Sequence, residues 1–264
     1  KQQREIAELF RLKGRILIAK EGINATLEGT TKDIQAYIKR VRKITFFKSI
    51  VFKESQGSGK SFTKLHITVR PEIVTLGAGV LNVKKETAKT ITAEKLNKLY
   101  EKDEDFTILD LRNDFEIKAG YFEKTVHPNL KNFRDLPGKI KALGHLKHKK
   151  VIAVCTGGIR CEKATCLLKK EGFTDLYQLK DGIHTYMKEF PGKHFKGSLF
   201  VFDNRIITDV VPIENKEIVG TCFYCNLPCE EFYNDDSTRP SKKIICCDNC
   251  ITVQKNHLRR CIPA

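Results

Sequence analysis

Apolar positions recur at helical spacing from the first residues, with Ile6, Leu9 and Phe10 on one face of an amphipathic stretch over residues 2–12. Residues 15–19 and 23–27 are short apolar runs joined around Glu21-Gly22, the pattern of two paired strands. Thr30 and Thr31 then offer helix caps ahead of the stripe Ile34, Tyr37, Ile38 and Val41. Two further extended runs are predicted, at residues 50–52 and 65–69, before Pro71. From about residue 91 the pattern alternates. Thr92 caps a predicted helix through residue 99, and residues 106–109 form a buried strand ending in Asp110-Leu-Arg112. Residues 139–146 read as a helix, 151–154 as a strand of unbroken apolar character, and 162–171 as a helix with Ala164, Leu167 and Leu168 on its apolar side. A strand at 176–179 and a helix from Gly182 to residue 190 follow, and residues 200–208 read as a strand pair closing the domain.

Two architectures follow from these periods. Helix, strand, strand, helix, strand is the order of a βαββαβ split motif lacking its first strand, so residues 1–85 are expected to form a ferredoxin-like (acylphosphatase-like) α+β domain whose opening strand lies upstream of Lys1. Alternating helices and apolar strands over residues 86–210 predict an α/β domain with a parallel sheet. Residues 211–264 are poor in apolar side chains and rich in cysteine, and read as a third, small module.

Composition narrows the class. The chain has 264 residues, with 48 Lys and Arg against 32 Asp and Glu, a formal charge of +16. That excess favours a polyanionic partner, nucleic acid first, although a solvated basic surface has the same composition. Arg40, Arg42, Lys43 and Lys48 are candidate contacts in the first domain. Lys139, Lys141, Lys147, Lys149 and Lys150 form a second basic run, read as lying beside the reactive loop. Ten cysteines without a secretory leader argue for a reducing compartment, the cytoplasm, with thiols used for catalysis or metal. No run approaches the length of a membrane span. The segment Gln56-Gly-Ser-Gly-Lys-Ser61 looks like a phosphate-binding loop but has Glu54 where the motif needs its first glycine, so it is read as a solvated tip.

The candidate chemistry is concentrated in Cys155-Thr156-Gly157-Gly158-Ile159-Arg160, placed between a buried strand and a helix. Such a junction turns backbone N–H groups and a helix N-terminus toward one point, and the two glycines permit the backbone angles required. A sulfur held there beside Arg160 is expected to ionise easily and to act as a thiolate or carry a terminal sulfur. Cys161 is a candidate second thiol at the mouth, or a helix-face residue without a role. Cys166 is expected in the core. Cys222-x2-Cys225 and Cys247-x2-Cys250 are paired knuckles at zinc spacing, with Cys229, Cys246, Cys261 and His257 as alternatives. A structural zinc ion is therefore expected; no organic cofactor motif is visible.

The hexapeptide resembles the active-site loop of rhodanese domains, whose first cysteine carries sulfane sulfur; its five-residue step from Cys155 to Arg160 is one shorter than the loop of cysteine-dependent phosphatases. Asp110-Leu-Arg112 with Glu116 resembles that family's Asp-Val-Arg and downstream Glu, with Asp110 and Arg112 expected either to brace the loop by hydrogen bonds or to form a structural salt bridge, and Leu179-Lys-Asp-Gly-Ile183 resembles its closing motif, with Asp181 where a glycine is usual. Gly14-Arg-Ile-Leu, Glu21-Gly-Ile-Asn24, the extended loop through Ala164 and Phe200-Val-Phe-Asp-Asn-Arg205 together resemble the bacterial rhodanese-containing tRNA uridine hydroxylases. That resemblance implies oxygen-dependent formation of 5-hydroxyuridine at wobble position 34 of tRNA, with Cys155 and Arg160 catalytic and molecular oxygen as co-substrate. Sulfur transfer through a Cys155 persulfide is the alternative.

Overall fold

The computed structural model describes residues 1–48, 50–209, 216–254 and 256–261. Its contacts divide the chain into two units: Lys1–Thr75 with Asp203–Arg205, and Leu76–Phe202 with Ile206–Ala264. The cysteine-rich segment thus packs with the α/β domain, and the boundary expected at residue 210 lies outside the described residues.

The first unit runs α1 (Gln2–Leu9), β1 (Lys13–Ala19), β2 (Gly22–Glu28), α2 (Thr31–Arg42), a 3₁₀ turn (Thr45–Phe47) and β3 (Leu65–Val69). Its sheet has the order β2-β1-β3, with β2 antiparallel and β3 parallel to β1. Thr30 caps α2 by accepting the Asp33 N–H at 3.2 Å, an interaction worth about 1 kcal/mol. The stripe on α2 packs Tyr37, Ile38 and Val41 against Ile6, Ala7, Leu12 and Ile16. Residues 50–52 are not a strand. Val51 is exposed and only Phe52 reaches the core, a run too short to find a neighbouring ladder. Residues 56–60 are an exposed loop ending at the buried Ser61 and tied down by Glu28, whose carboxylate accepts the Gly59 and Ser61 N–H groups at 2.7 and 2.8 Å. Asn204 is fixed to the same loop through Ser61 O and Lys60 O.

The second unit opens with α3 (Val83–Glu86), β4 (Lys89–Ile91), α4 (Ala93–Glu101), β5 (Thr107–Asp110), α5 (Asp114–Ile117), β6 (Gly120–Phe122) and β7 (Thr125–Val126). It continues with α6 (Leu136–Lys139), a 3₁₀ stretch (Ile140–Leu146), β8 (Val151–Val154), α7 (Ile159–Lys170), β9 (Leu176–Leu179) and α8 (Gly182–Glu189). The helix expected over 139–146 is the α6 and 3₁₀ pair; Pro137, Gly138 and Gly144 weaken regular α-helix there. Strands β4-β9-β8-β5-β7 make one sheet, parallel throughout, with β8 at its centre. All four β8 side chains are fully buried, which is why the run is apolar without alternation. On one face Phe122, Tyr186 and Phe195 meet edge to face at about 5 Å, against Leu96, Ile108 and Leu199.

The rest of this unit is β10 (Phe195–Gly197), β11 (Leu199–Phe200), β12 (Ile207–Thr208), β13 (Phe232–Asp235), β14 (Lys242–Ile245), α9 (Asp248–Gln254) and β15 (Leu258–Arg260). β11 and β12 pair antiparallel, as the sequence predicts, and β14-β13-β15 form a small antiparallel sheet. No helix among the described residues is long and apolar enough to cross a membrane.

Candidate active site

Cys155 leaves the C-terminal end of β8, the edge at which open parallel sheets bind ligands. Gly158 adopts φ 92° and serves as the N-cap of α7, so the chain reverses tightly around the sulfur. The Gly158 N–H donates to Cys155 Sγ at 3.2 Å. From the opposite side α8 holds the loop: Ile183 N–H donates to Cys155 O at 3.0 Å and His184 N–H to Thr156 O at 3.1 Å. Gly182, with φ 76°, has no room for a side chain, since a Cβ would stand 2.6 Å from Gly158 N and 2.7 Å from Cys155 O. Gly182 is the loop's second wall, legible in the sequence as the closing Leu-x-x-Gly-Ile pattern.

Arg160 folds back over the loop and forms a two-point pair with Glu116, Nη1 to Oε1 at 2.6 Å and Nη2 to Oε2 at 2.8 Å. Glu116 is fully buried and also accepts the Asn113 N–H at 2.9 Å. Thr156 links the two, its hydroxyl donating to Glu116 Oε2 at 3.3 Å and accepting from Arg160 Nη2 at 3.2 Å. Burial opposes the Arg160 charge, but Glu116 outweighs it and holds the guanidinium protonated.

Cys155 is fully buried. Burial disfavours its ionised form, yet the Cys161 thiol, the Arg160 charge and the N–H groups of residues 160 and 161 outweigh that and bring its pKa down to about 6. Cys161 goes the other way. It is fully buried, not at the mouth, and burial together with the neighbouring Cys155 sulfur pushes its thiol well up. Its place on the first turn of α7, inward beside Cys155, explains the difference from the sequence expectation. Cys166 lies in the core and donates to Glu162 O at 3.1 Å.

Among the described residues, the side-chain hydrogen bonds of Asp110 and Arg112 do not go to the loop. The two residues pair with each other, both fully buried, through Arg112 Nε and Nη2 at 2.7–3.0 Å, and Arg112 Nη2 also reaches Gly120 O at 2.7 Å. They fix the corner that leads into α5, and α5 supplies Glu116. The basic run at residues 147–150 is placed at the wrong edge for the loop. It precedes β8, with Lys150 paired to Glu104 ahead of β5, and four residues of strand separate the two edges by about 13 Å. Adjacency in sequence to the N-terminal end of a strand means separation from its C-terminal end.

In the cysteine-rich region the sulfurs of Cys222, Cys225, Cys247 and Cys250 all lie within 4.8 Å of one another. Cys225 and Cys247 are 3.5 Å apart, close to the spacing of about 3.8 Å for thiolates around a tetrahedral zinc ion. The alternatives are engaged elsewhere: the Cys246 thiol donates to Cys247 O, Cys261 accepts from Lys243, and His257 meets the Tyr224 hydroxyl.

The sulfur environment has a direct readout. The thiolate absorbance that distinguishes wild type from Cys155→Ser is expected to titrate with a midpoint near pH 6, from the value of about 6. Arg160→Met removes a charge that favours the thiolate, so its midpoint is expected to move up. An unchanged midpoint would show that Arg160 does not act on the sulfur.

Comparison with known proteins agrees with this arrangement. Residues 1–73 match the UPF0176 acylphosphatase like domain, residues 92–189 the Rhodanese-like domain and residues 196–263 the family described as Rhodanase C-terminal. The tRNA uridine(34) hydroxylase of Staphylococcus carnosus is 39% identical over 261 residues, covering 93% of this chain and 82% of its own length. Those of Onion yellows phytoplasma and Cytophaga hutchinsonii are 41% and 38% identical, covering 93% and 90% of this chain and 80% and 76% of their own. With identity at this level over nine-tenths of its length, the chain belongs to the tRNA uridine(34) hydroxylase family.

Proposed function

We propose that the chain hydroxylates uridine 34 of tRNA to 5-hydroxyuridine and that Cys155 is the group that reacts, with Arg160 holding its charge. The observation that supports this most directly is the ionisable sulfur of Cys155, ringed by N–H donors beside a paired arginine, in a member of this family. The thiolate adds to C6 of the uracil ring and makes C5 electron-rich. C5 then bonds to an electrophilic oxygen, and loss of the C5 proton expels the thiolate and restores the ring. The base is oxidised by two electrons. With molecular oxygen as oxidant, the second oxygen atom leaves as water after taking two electrons from a reductant. Glu116 and Thr156 keep the Arg160 guanidinium over the loop, and Gly182 keeps the loop shut on its other side.

Burial of the sulfur favours a second reading. Cys155 is fully buried as the loop stands, so its addition to the uracil requires the loop to open, whereas the outer sulfur of a persulfide stands about 2 Å further out; sulfane-sulfur transfer of the rhodanese type is therefore the alternative. A purified reaction on total tRNA separates the two. Wild type is expected to form 5-hydroxyuridine and Cys155→Ser none. Full hydroxylation by Cys155→Ser would contradict a role for this sulfur, and thiosulfate:cyanide turnover without hydroxylation would favour sulfur transfer.

Charge supports tRNA as partner. Residues 1–75 carry sixteen Lys and Arg against seven Asp and Glu. Lys39, Arg40, Lys43 and Lys48 are exposed there, without acidic partners among the described residues. The cytoplasm, where tRNA is modified, is the compartment this reading requires. The division at residues 85 and 210 into substrate-facing, catalytic and cysteine-rich parts belongs to the same proposal.

Cys222, Cys225, Cys247 and Cys250 are proposed to hold a structural zinc ion, whose chemistry is to cross-link a segment with little core of its own. Purified protein is expected to contain about one zinc per chain. Cys225→Ser should lose the metal and lower the melting temperature, while Cys261→Ser should keep the metal. Equal zinc content in the two variants would sink this assignment.

A further inference from the structure

The motif Phe200-Val-Phe-Asp-Asn-Arg205 takes no part in the sulfur cradle, yet one of its side chains reaches it. The Phe202 ring centroid lies 6.0 Å from Arg160 Cζ, at the outer limit of a cation–π contact. Phe202 is nevertheless 46% exposed. Its position is set from behind. Phe200, almost fully buried, packs edge to face against Phe202 at 5.3 Å, against Phe232 at 5.1 Å and against Phe115 at 5.1 Å. Phe115 is the residue before Glu116, so the aromatic row and the Arg160 anchor share α5.

A phenyl ring held in place and left open beside a reactive loop gains by being covered with something flat and apolar. On the loop Gly157 is exposed and Thr156, Gly158 and Ile159 are half-buried, so this part of the motif is open to a ligand. Nucleobases in single-stranded RNA loops are recognised by being splayed out onto aromatic rings, and a base that undergoes chemistry must leave its stack. Phosphate contacts elsewhere on the protein supply affinity but cannot orient a neutral pyrimidine ring. Resting on the hydroxylase reading above, we propose that Phe202 is the platform on which the substrate uracil stacks, holding the base beside Thr156 and the loop that carries Cys155. Phe200 is its buried support.

The chain contains no tryptophan, so Phe202→Trp provides a single indole at this position. Its emission is measured against an anticodon stem-loop RNA carrying uridine at position 34 and against the same RNA with an abasic site there, while a dye on the RNA reports binding independently. Quenching by the uridine RNA and not by the abasic RNA is expected. In hydroxylation, Phe202→Leu keeps the apolar bulk but loses the aromatic face, and should raise KM by about fivefold to a hundredfold, with Phe202→Tyr near wild type. The thiolate titration of Cys155 in each variant checks that the loop is intact. Binding and hydroxylation without selective quenching, or a Phe202→Leu enzyme with wild-type KM, would overturn the platform and leave the hydroxylase reading standing. A wild type that neither binds tRNA nor forms 5-hydroxyuridine would overturn both.

Discussion

An arginine and a glutamate buried against each other hold the reactive part of this protein in shape. Arg160 and Glu116 are 44 residues apart in sequence and meet through two hydrogen bonds of 2.6 and 2.8 Å. Removing either partner would leave a buried charge uncompensated, at a cost of about 3–5 kcal/mol. The pair therefore makes the position of α5 a condition for the shape of the loop. The Asp110–Arg112 pair and its bond to Gly120 O fix the turn into α5, and the N–H of Asn113 fixes Glu116 itself. Gly182 completes the enclosure from α8. A sulfur placed in that frame is buried and still ionises near pH 6, because the donors around it are oriented before it loses its proton.

The same frame explains the division of labour along the chain. The central α/β sheet supplies rigidity, with β8 buried on both faces and the loop at its C-terminal edge. The first 75 residues carry sixteen Lys and Arg against seven Asp and Glu, an excess that suits a polyanion and does nothing for the chemistry of a thiolate. The cysteine-rich part gathers four sulfurs where few apolar side chains are available to fold around. None of these parts by itself selects hydroxylation over sulfur transfer. The proposed stacking of the uracil on Phe202, beside Arg160, would bias that choice by orienting the base.

Much of this was legible in the residues. The strand–Cys–Gly–Gly–Ile–Arg–helix junction is local, so period and turn chemistry place it without any knowledge of tertiary contacts. The zinc-spaced quartet was legible for the same reason, each knuckle being a turn of four residues. Long-range facts were not. The sequence offers an Asp110–Arg112 salt bridge as one of two readings but does not choose it, nor does it say that Glu116 reaches Arg160, because pairing among four charges is decided by the path of α5. Cys161 reads equally as a thiol at the mouth or on a helix face, because a helix's first turn shows its inward and outward positions only once its axis is known. The basic run before β8 was assigned to the loop by proximity in sequence, where the strand carries it to the far edge. Residues 50–52 had strand composition but no neighbour to pair with.

The most direct test of a catalytic Cys155 is nucleoside mass spectrometry of tRNA from cells that lack this protein and receive either wild type or Cys155→Ser. The expected result is loss of wobble 5-hydroxyuridine, restored by wild type and not by Cys155→Ser at equal protein level. Restoration by Cys155→Ser, or a hydroxyuridine level that never depended on the protein, would contradict it.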